Sequence, residues 1–382
     1  MRQLIGQPPR AARARQSARK VAATVGMIAL TTGLFPTIAH AQQVTLTQRN
    51  TQSLGAGQAF GQLSGLTYVG GNEWLAVSDK RNELLPITIG FNAGTGATTT
   101  LTSGVKRVLG GAERDYEGIA FTGATRNTLL VSEEDSPGVR EFDRATLAEV
   151  ATSPLPTPGV FAANLRGNLG FESLTYHATS GAVFTANEEA LVSDGPTANA
   201  AMGTTVRVQR FAPSGASFIA QGQWAYVVDP IHGTNSTTIT SPAAQSGLSD
   251  LVALDDGRLL ALERSVFYMD VFGQGFPPLP NFLSKIYLIS PTGTPANADV
   301  LHPLSKTLLW SGSLGISGNL EGLALGPATT NGRLVLGIVD NNDIDVLAAS
   351  VVAFEMTIVP EPGSMLLITG ASGALLARRS RR

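Results

Sequence analysis

Polar and apolar positions along this chain fall into a short phrase that recurs five times. The copies are Leu63-Ser64-Gly65-Leu66-Thr67-Tyr68, Tyr116-Glu117-Gly118-Ile119-Ala120-Phe121, Phe171-Glu172-Ser173-Leu174-Thr175-Tyr176, Leu248-Ser249-Asp250-Leu251-Val252-Ala253 and Leu320-Glu321-Gly322-Leu323-Ala324-Leu325. After each comes a turn and a second apolar run that ends in a polar or acidic residue: Asp79, Glu133, Asn187, Glu263 and Asp340. Weaker strand signals follow, at 86–91 and 105–109 in the first copy, 207–211 and 223–228 in the third, and 285–289 and 307–310 in the fourth. Repetition in fixed order marks a repeat architecture, and four antiparallel strands per unit is the pattern of a propeller blade. Equivalent positions 64, 117, 172, 249 and 321 are spaced by 53, 55, 77 and 72 residues, with apparent insertions near 193–204, 231–244 and 273–281. The expectation is an all-β fold: a β-propeller of five readable four-stranded blades. Room is left for a sixth, degenerate or assembled from both ends of the chain.

Simple antiparallel counting then gives a register. Pairing Phe121 with Leu129 and Ile119 with Val131 sets Glu117 opposite Glu133. The same count sets Ser64 opposite Asp79, Ser249 opposite Glu263, Glu321 opposite Asp340, and Glu172 opposite Asn187 with Glu188 one step beyond. Opposed side chains stand about 4.5–5.5 Å apart at Cβ, so paired carboxylates there repel unless one is protonated or a cation lies between them. The residue after each of these positions is small or polar (Gly65, Gly118, Ser173, Asp250, Gly322), which lets a neighbouring blade come close. The repeat therefore gathers oxygen pairs around one mouth of a central channel. Hard oxygen donors without His or Cys suit calcium far better than zinc. The same groups could instead cap loop N–H groups or pair with Arg81, Arg114 and Arg264.

Composition agrees with many short strands joined by tight turns: Gly and Pro together supply 63 of 382 residues. There is no cysteine, which excludes thiolate catalysis, zinc-thiolate sites and disulfides. Formal charge is −2, but the basic residues crowd the ends. Setting aside six in 1–41 and four in 378–382 leaves 17 basic against 29 acidic residues, a net of −12. An acidic body of this kind argues against nucleic acid and anionic membrane partners and leaves room for cations.

Both ends read as addresses. Six basic residues precede an apolar run over 21–38 that closes on Ala39-His40-Ala41, a signal-peptide pattern with signal peptidase cleavage before Gln42. At the other end Pro360-Glu361-Pro362 is followed by a short apolar run over 365–377 and an Arg cluster. That is a stop-transfer order of parts, though shorter than the roughly 20 residues of an ordinary spanning helix. This tail closely resembles the PEP-CTERM sorting signal. The resemblance implies recognition by an exosortase, transient membrane anchoring, removal of the tail, and delivery to a Gram-negative cell envelope or the exterior. The expected organisation is a signal peptide over 1–41, a propeller over 42–358 and a sorting tail over 359–382.

Asp115-Tyr116-Glu117-Gly118-Ile119, Gly170-Phe171-Glu172-Ser173-Leu174-Thr175, Gly247-Leu248-Ser249-Asp250-Leu251 with Leu262-Glu263-Arg264, and Asn319-Leu320-Glu321-Gly322-Leu323 resemble the family called esterase-like activity of phytase. The resemblance spans nearly the whole mature chain and implies a calcium-dependent propeller phosphatase or esterase ancestry. No catalytic triad is carried over. The chain has no Gly-x-Ser-x-Gly elbow, and His177, His232 and His302 stand at no metal-ligand spacing. Two functional classes stay open. In the first, a metal-assisted phosphoric or carboxylic ester hydrolase, Glu117, Glu172 and Glu321 serve as ligands or bases and Glu133, Glu188, Glu263, Asp340 and Asp79 complete the candidate metal set. Arg114 and Arg264 then face the substrate anion. The second is a non-catalytic surface or matrix propeller binding a glycan or partner, with the acidic ring structural. A calcium-dependent lactonase is a third, weaker option.

Overall fold

Runs such as Val335-Leu336-Gly337-Ile338-Val339 carry apolar residues at odd and even positions alike, so a strand built from them must be covered on both faces. The computed structural model describes residues 43–359 apart from 80, 232–243, 270–278, 293–302, 316–317, 343 and 345. The expected signal peptide, the Pro360-Glu361-Pro362 motif with its tail, His232, His302 and most of two expected insertions lie outside the described residues.

Among those residues the strands run in order β1 (Gln43–Ala56), β2 (Leu63–Gly70), β3 (Glu73–Ser78), β4 (Glu83–Phe91), β5 (Thr98–Ser103) and β6 (Arg107–Val108). Then come β7 (Tyr116–Phe121), β8 (Thr128–Glu133), β9 (Gly138–Asp143), β10 (Phe171–His177), β11 (Ala182–Asn187), β12 (Thr204–Ser214) and β13 (Ser217–Val228). The last are β14 (Gln245–Ala253), β15 (Leu259–Met269), β16 (Leu279–Ile289), β17 (Lys306–Gly312), β18 (Asn319–Ala328), β19 (Gly332–Asp340) and β20 (Ala348–Val359). They form five antiparallel blades: β2-β3-β4-β5, β7-β8-β9, β10-β11-β12-β13, β14-β15-β16-β17 and β18-β19-β20-β1. The innermost strands touch in the cyclic order β2, β7, β10, β14, β18 and back to β2, which closes the ring. Chain ends do combine in one blade, but it is the fifth: β1 pairs with β20 along nearly its whole length. Among the described residues there is no sixth.

Two blades depart from the expected outer strands. In the first, the fourth strand is β5, and the expected 105–109 contributes only the two-residue β6 beside β4. In the second, the fourth position is filled by irregular chain, with one bridge between Phe142 and Glu149 and a backbone bond from Leu155 N–H to Val139 O. Among the described residues helix is confined to short turns such as Gly159–Ala163, which sets Phe161 against Phe171. Among the described residues no helix is long and apolar enough to cross a membrane.

The core consists of five apolar clusters, one at each blade–blade junction. Strand β19 shows how both faces are used: Leu334, Leu336 and Ile338 pack toward the first blade, Val335 and Val339 toward the fourth. At the axis the small residue of each repeat lets the inner strands meet. A Cβ added at Gly118 would lie 2.5 Å from Leu174 N, and one at Gly65 would lie 2.5 Å from Glu117 O. The fourth repeat carries Asp250 there instead. Its buried carboxylate accepts from Leu251 N–H (2.8 Å), Leu323 N–H (2.7 Å) and Leu174 N–H (3.3 Å), tying three blades together.

Candidate metal centre

Each inner strand contains one residue more than its partner at the same place. Pairs Leu63–Ser78, Tyr116–Glu133, Phe171–Asn187, Leu248–Glu263 and Leu320–Val339 come immediately before an irregularity. Beyond it the pairs are Leu66–Ala76, Ile119–Val131, Ser173–Ala186, Asp250–Leu262 and Gly322–Ile338. This is a β-bulge repeated in all five blades, and a bulge re-aims the side chain it carries. The expected register is therefore corrected by one residue: Glu117 does not oppose Glu133, nor Ser64 Asp79, nor Glu172 Asn187, nor Ser249 Glu263, nor Glu321 Asp340. The bulge frees Ser64, Glu117, Glu172, Ser249 and Glu321 from simple cross-strand pairing.

That slip separates the acidic residues into two groups. Glu133 lies away from the channel mouth, bound by Arg114 Nη1 (2.6 Å) and Arg140 Nε (2.8 Å). Arg114, expected to face a substrate anion, is thus committed to Glu133. Glu263 is fully buried between blades, where it accepts from Tyr226 OH (2.5 Å), Asp229 N–H (3.0 Å) and Lys306 Nζ (2.5 Å). Asp340 accepts from Leu63 N–H (3.1 Å) and Asn342 N–H (2.7 Å) and so joins the last blade to the first.

The other group converges. Asp79, Glu117, Glu172, Glu188, Glu321 and Arg264 line one cavity of about 220 Å³ together with Glu134, Asn168, Leu169 and Gln245. Arg264 donates to Glu188 Oε1 (2.6 Å), Glu321 Oε1 (2.6 Å) and Asn319 Oδ1 (3.1 Å). It is the single basic residue lining the cavity among the described residues, facing six carboxylates. Carboxylate oxygens of Glu117, Glu134 and Glu172 lie within 4.8 Å of one another, all three buried. A second trio, Asp79, Asp115 and Glu117, shares Glu117 with the first.

Crowding and burial show in the titration of these groups. Glu117 is held well above the ordinary carboxyl range by desolvation, then by Glu172 and Asp79. Glu172 is raised likewise by desolvation, then by Glu188 and Glu134, against the pull of Arg264. Glu134 is pushed up to about 10, first by burial and then by Glu117, Glu188 and Asp115. Glu321 reaches only about 7, because Arg264 offsets its burial.

Sequence reasoning missed Glu134 and Asp115. Both flank strand ends rather than fall inside the repeated phrase. The signal for Glu134 was the equivalence of Asp79, Glu134, Glu188 and Arg264, each the residue after the one that pairs ahead of the bulge.

Residues 58–343 match the sequence profile described as Phytase-like, esterase-like activity of phytase. The chain belongs to this family. No curated protein sequence matches it. Among solved structures it is similar to a streptogramin B lyase, with 8% identity over 81% of this chain and 98% of that one and a TM-score of 0.33. It is similar also to a Trichoderma reesei carbohydrate-active enzyme of family AA12 in a calcium structure (8%, 81% and 96%, 0.35) and to a hypothetical protein from Leishmania major (8%, 83% and 92%, 0.36). Likeness at these scores carries no functional argument. In this phytase-like propeller the donors at the mouth are all oxygens, mostly carboxylate, as calcium requires. Glu117, Glu134 and Glu172 among them are buried and crowd one another, which is the setting a divalent cation relieves.

Proposed function

We propose that the acidic mouth is a calcium site serving hydrolysis of a phosphoric or carboxylic ester, and that the protein works outside the cytoplasm. What carries the reading is the buried trio Glu117, Glu134 and Glu172 with Arg264 already engaged by Glu188 and Glu321. These three residues, with Asp79 and Asp115 beside them, would hold the ion. When bound, such a cation polarises a phosphoryl or carbonyl oxygen and lowers the pKa of water. Arg264, fixed on two sides by carboxylates, is placed to orient an anionic substrate oxygen. Glu321, at about 7, can take or give a proton near neutrality, the property a general base or acid needs. Export and envelope delivery rest on the signal-peptide and sorting-tail patterns at the two ends.

Calorimetric titration of metal-free protein with calcium and magnesium tests the site, and hydrolysis of p-nitrophenyl phosphate and p-nitrophenyl acetate tests the chemistry. The expected result is calcium binding that Glu117→Gln weakens, with calcium-dependent turnover of one ester. Absence of calcium binding would reject the centre. Binding without turnover of either ester would favour the non-catalytic surface propeller, whose acidic ring is a structural ion site.

A further inference from the structure

The opposite end of the channel holds a second cavity of about 230 Å³, built from the far ends of the same inner strands. Its inner wall is mainly aliphatic, while His177, Asp255 and Arg333 stand at its rim, with His177 Nδ1 hydrogen-bonded to Ser180 Oγ at 2.7 Å. Two equivalent inner positions are polar. Thr67 and Thr175 are both more than nine-tenths buried and line this cavity. Each hydroxyl oxygen accepts a backbone N–H from the next blade, Phe121 N at 3.0 Å and Ala253 N at 2.8 Å. A hydroxyl also carries a proton to donate, and among the described residues neither of these two is seen donating it. Blades two, four and five close the ring with Ala120, Val252 and Ala324 at this position, so the fold itself does not demand a hydroxyl.

One residue further along, blades one, two and three carry Tyr68, Phe121 and Tyr176. Tyr68 is held by Trp74 (ring centroids 4.8 Å apart) and donates its hydroxyl proton to Gly71 O at 3.1 Å; Arg144 lies 5.1 Å over the Phe121 ring. These contacts keep the rim rigid. Polar groups close the other side: Arg333 donates to Asp255 Oδ2 at 2.6 Å and to Gly326 O at 2.9 and 2.7 Å. Its charge is thus matched by an exposed carboxylate, and an anion entering here would meet Asp255 as well as Arg333. A purely apolar ligand would leave both threonine protons buried without acceptors, at a cost of about 1–3 kcal/mol each.

We propose that this second mouth binds a neutral sugar unit. A sugar ring offers C–H faces to the aromatic rim, oxygens to accept from Thr67 and Thr175, and hydroxyl protons for Asp255. The site stands apart from the acidic mouth and does not depend on calcium or on hydrolysis.

The test uses the full chain with the methyl glycosides of glucose, galactose, mannose and N-acetylglucosamine, and benzoate as an anionic aromatic comparison, read by saturation-transfer NMR and calorimetry. At least one glycoside should bind, unchanged by chelator and by Glu117→Gln. Thr175→Val should weaken it about five- to tenfold, as expected for one lost hydrogen bond, and Thr175→Ser should restore it. Should Thr175→Val not fold, Tyr68→Leu reads the same site at the half-buried rim, with a loss of about fivefold. Binding of benzoate in place of every glycoside, no binding by any probe, or binding that responds to Glu117→Gln but not to Thr175→Val or Tyr68→Leu would overturn the proposal.

Discussion

Replacing Glu134 by Gln should change stability in opposite directions with and without calcium. The side chains are nearly isosteric, so packing is preserved and the substitution reads charge alone. Glu134 is buried beside Glu117 and Glu172 and is pushed up to about 10. In chelator at pH 7 the folded protein keeps this proton, whereas the unfolded chain, with an ordinary value near 4.5, has released it. Holding it costs about 1.36 kcal/mol per pH unit between those values, hence at most about 3 kcal/mol. Coulomb's law gives the same order: two unit charges no more than 4.8 Å apart repel by at least about 3 kcal/mol at an effective dielectric of about 20. Because the folded value lies above the unfolded one, this stability is fully present below about pH 4.5 and is lost as pH rises toward about 10. Glu134→Gln should therefore be the more stable protein in chelator at pH 7–8 and indistinguishable from the parent near pH 4. With calcium at about a hundredfold over Kd the parent gains about 2.7 kcal/mol, while the variant, lacking one charged ligand, gains far less. Urea denaturation at three pH values, with chelator or calcium, measures all of this. A variant less stable than the parent in chelator at pH 7–8 would show that the carboxylate is an ordinary hydrogen-bonded cap.

Three further outcomes follow from the geometry. Asp250→Ala strips the acceptor from three backbone N–H groups on three blades and should cost about 2–4 kcal/mol in urea denaturation. Arg264→Met leaves Glu188 and Glu321 without their shared guanidinium and should cost about 3–5 kcal/mol in chelator at pH 8, less at pH 5 where Glu321, pushed up to about 7, takes a proton. Gly118→Ala drives a methyl against Leu174 N at 2.5 Å, so the melting temperature should fall by an overpacking cost of at least about 1–3 kcal/mol; an unchanged melt would mean that the inner strands are looser than described.

Blade number and the identity of the inner strands were legible because the repeated phrase carries both its apolar period and its small residue. Gly65, Gly118 and Gly322 were read as points of close approach, and the inner strands do meet there. Register was not legible. Counting by twos assumes an uninterrupted ladder, and one extra residue moves every side chain before it to the other face. The small residue that allowed close approach also accompanies the bulge, so one feature supported a correct inference and concealed the error beside it. Glu133 and Glu263 were assigned to the mouth for that reason, while Glu134 was passed over although it adjoins Glu133. Arg264 was legible as a nearby cation. That it would bind Glu188 and Glu321 together depends on how the bulges aim three side chains on consecutive blades, which no local pattern contains.

Closing the ring with strands from opposite ends of the chain also decides how the molecule is presented. Gln43 pairs with Val359 at the end of the last blade remote from Glu321 and Asp340. The polypeptide thus enters β1 and leaves β20 side by side, on the face away from the carboxylate cavity. A tether joined at either terminus would hold the body by its back. The acidic opening would then look outward, free to meet soluble or polymer-borne molecules. Lengthening the tether would change how far the body reaches and leave unchanged which opening faces the surroundings.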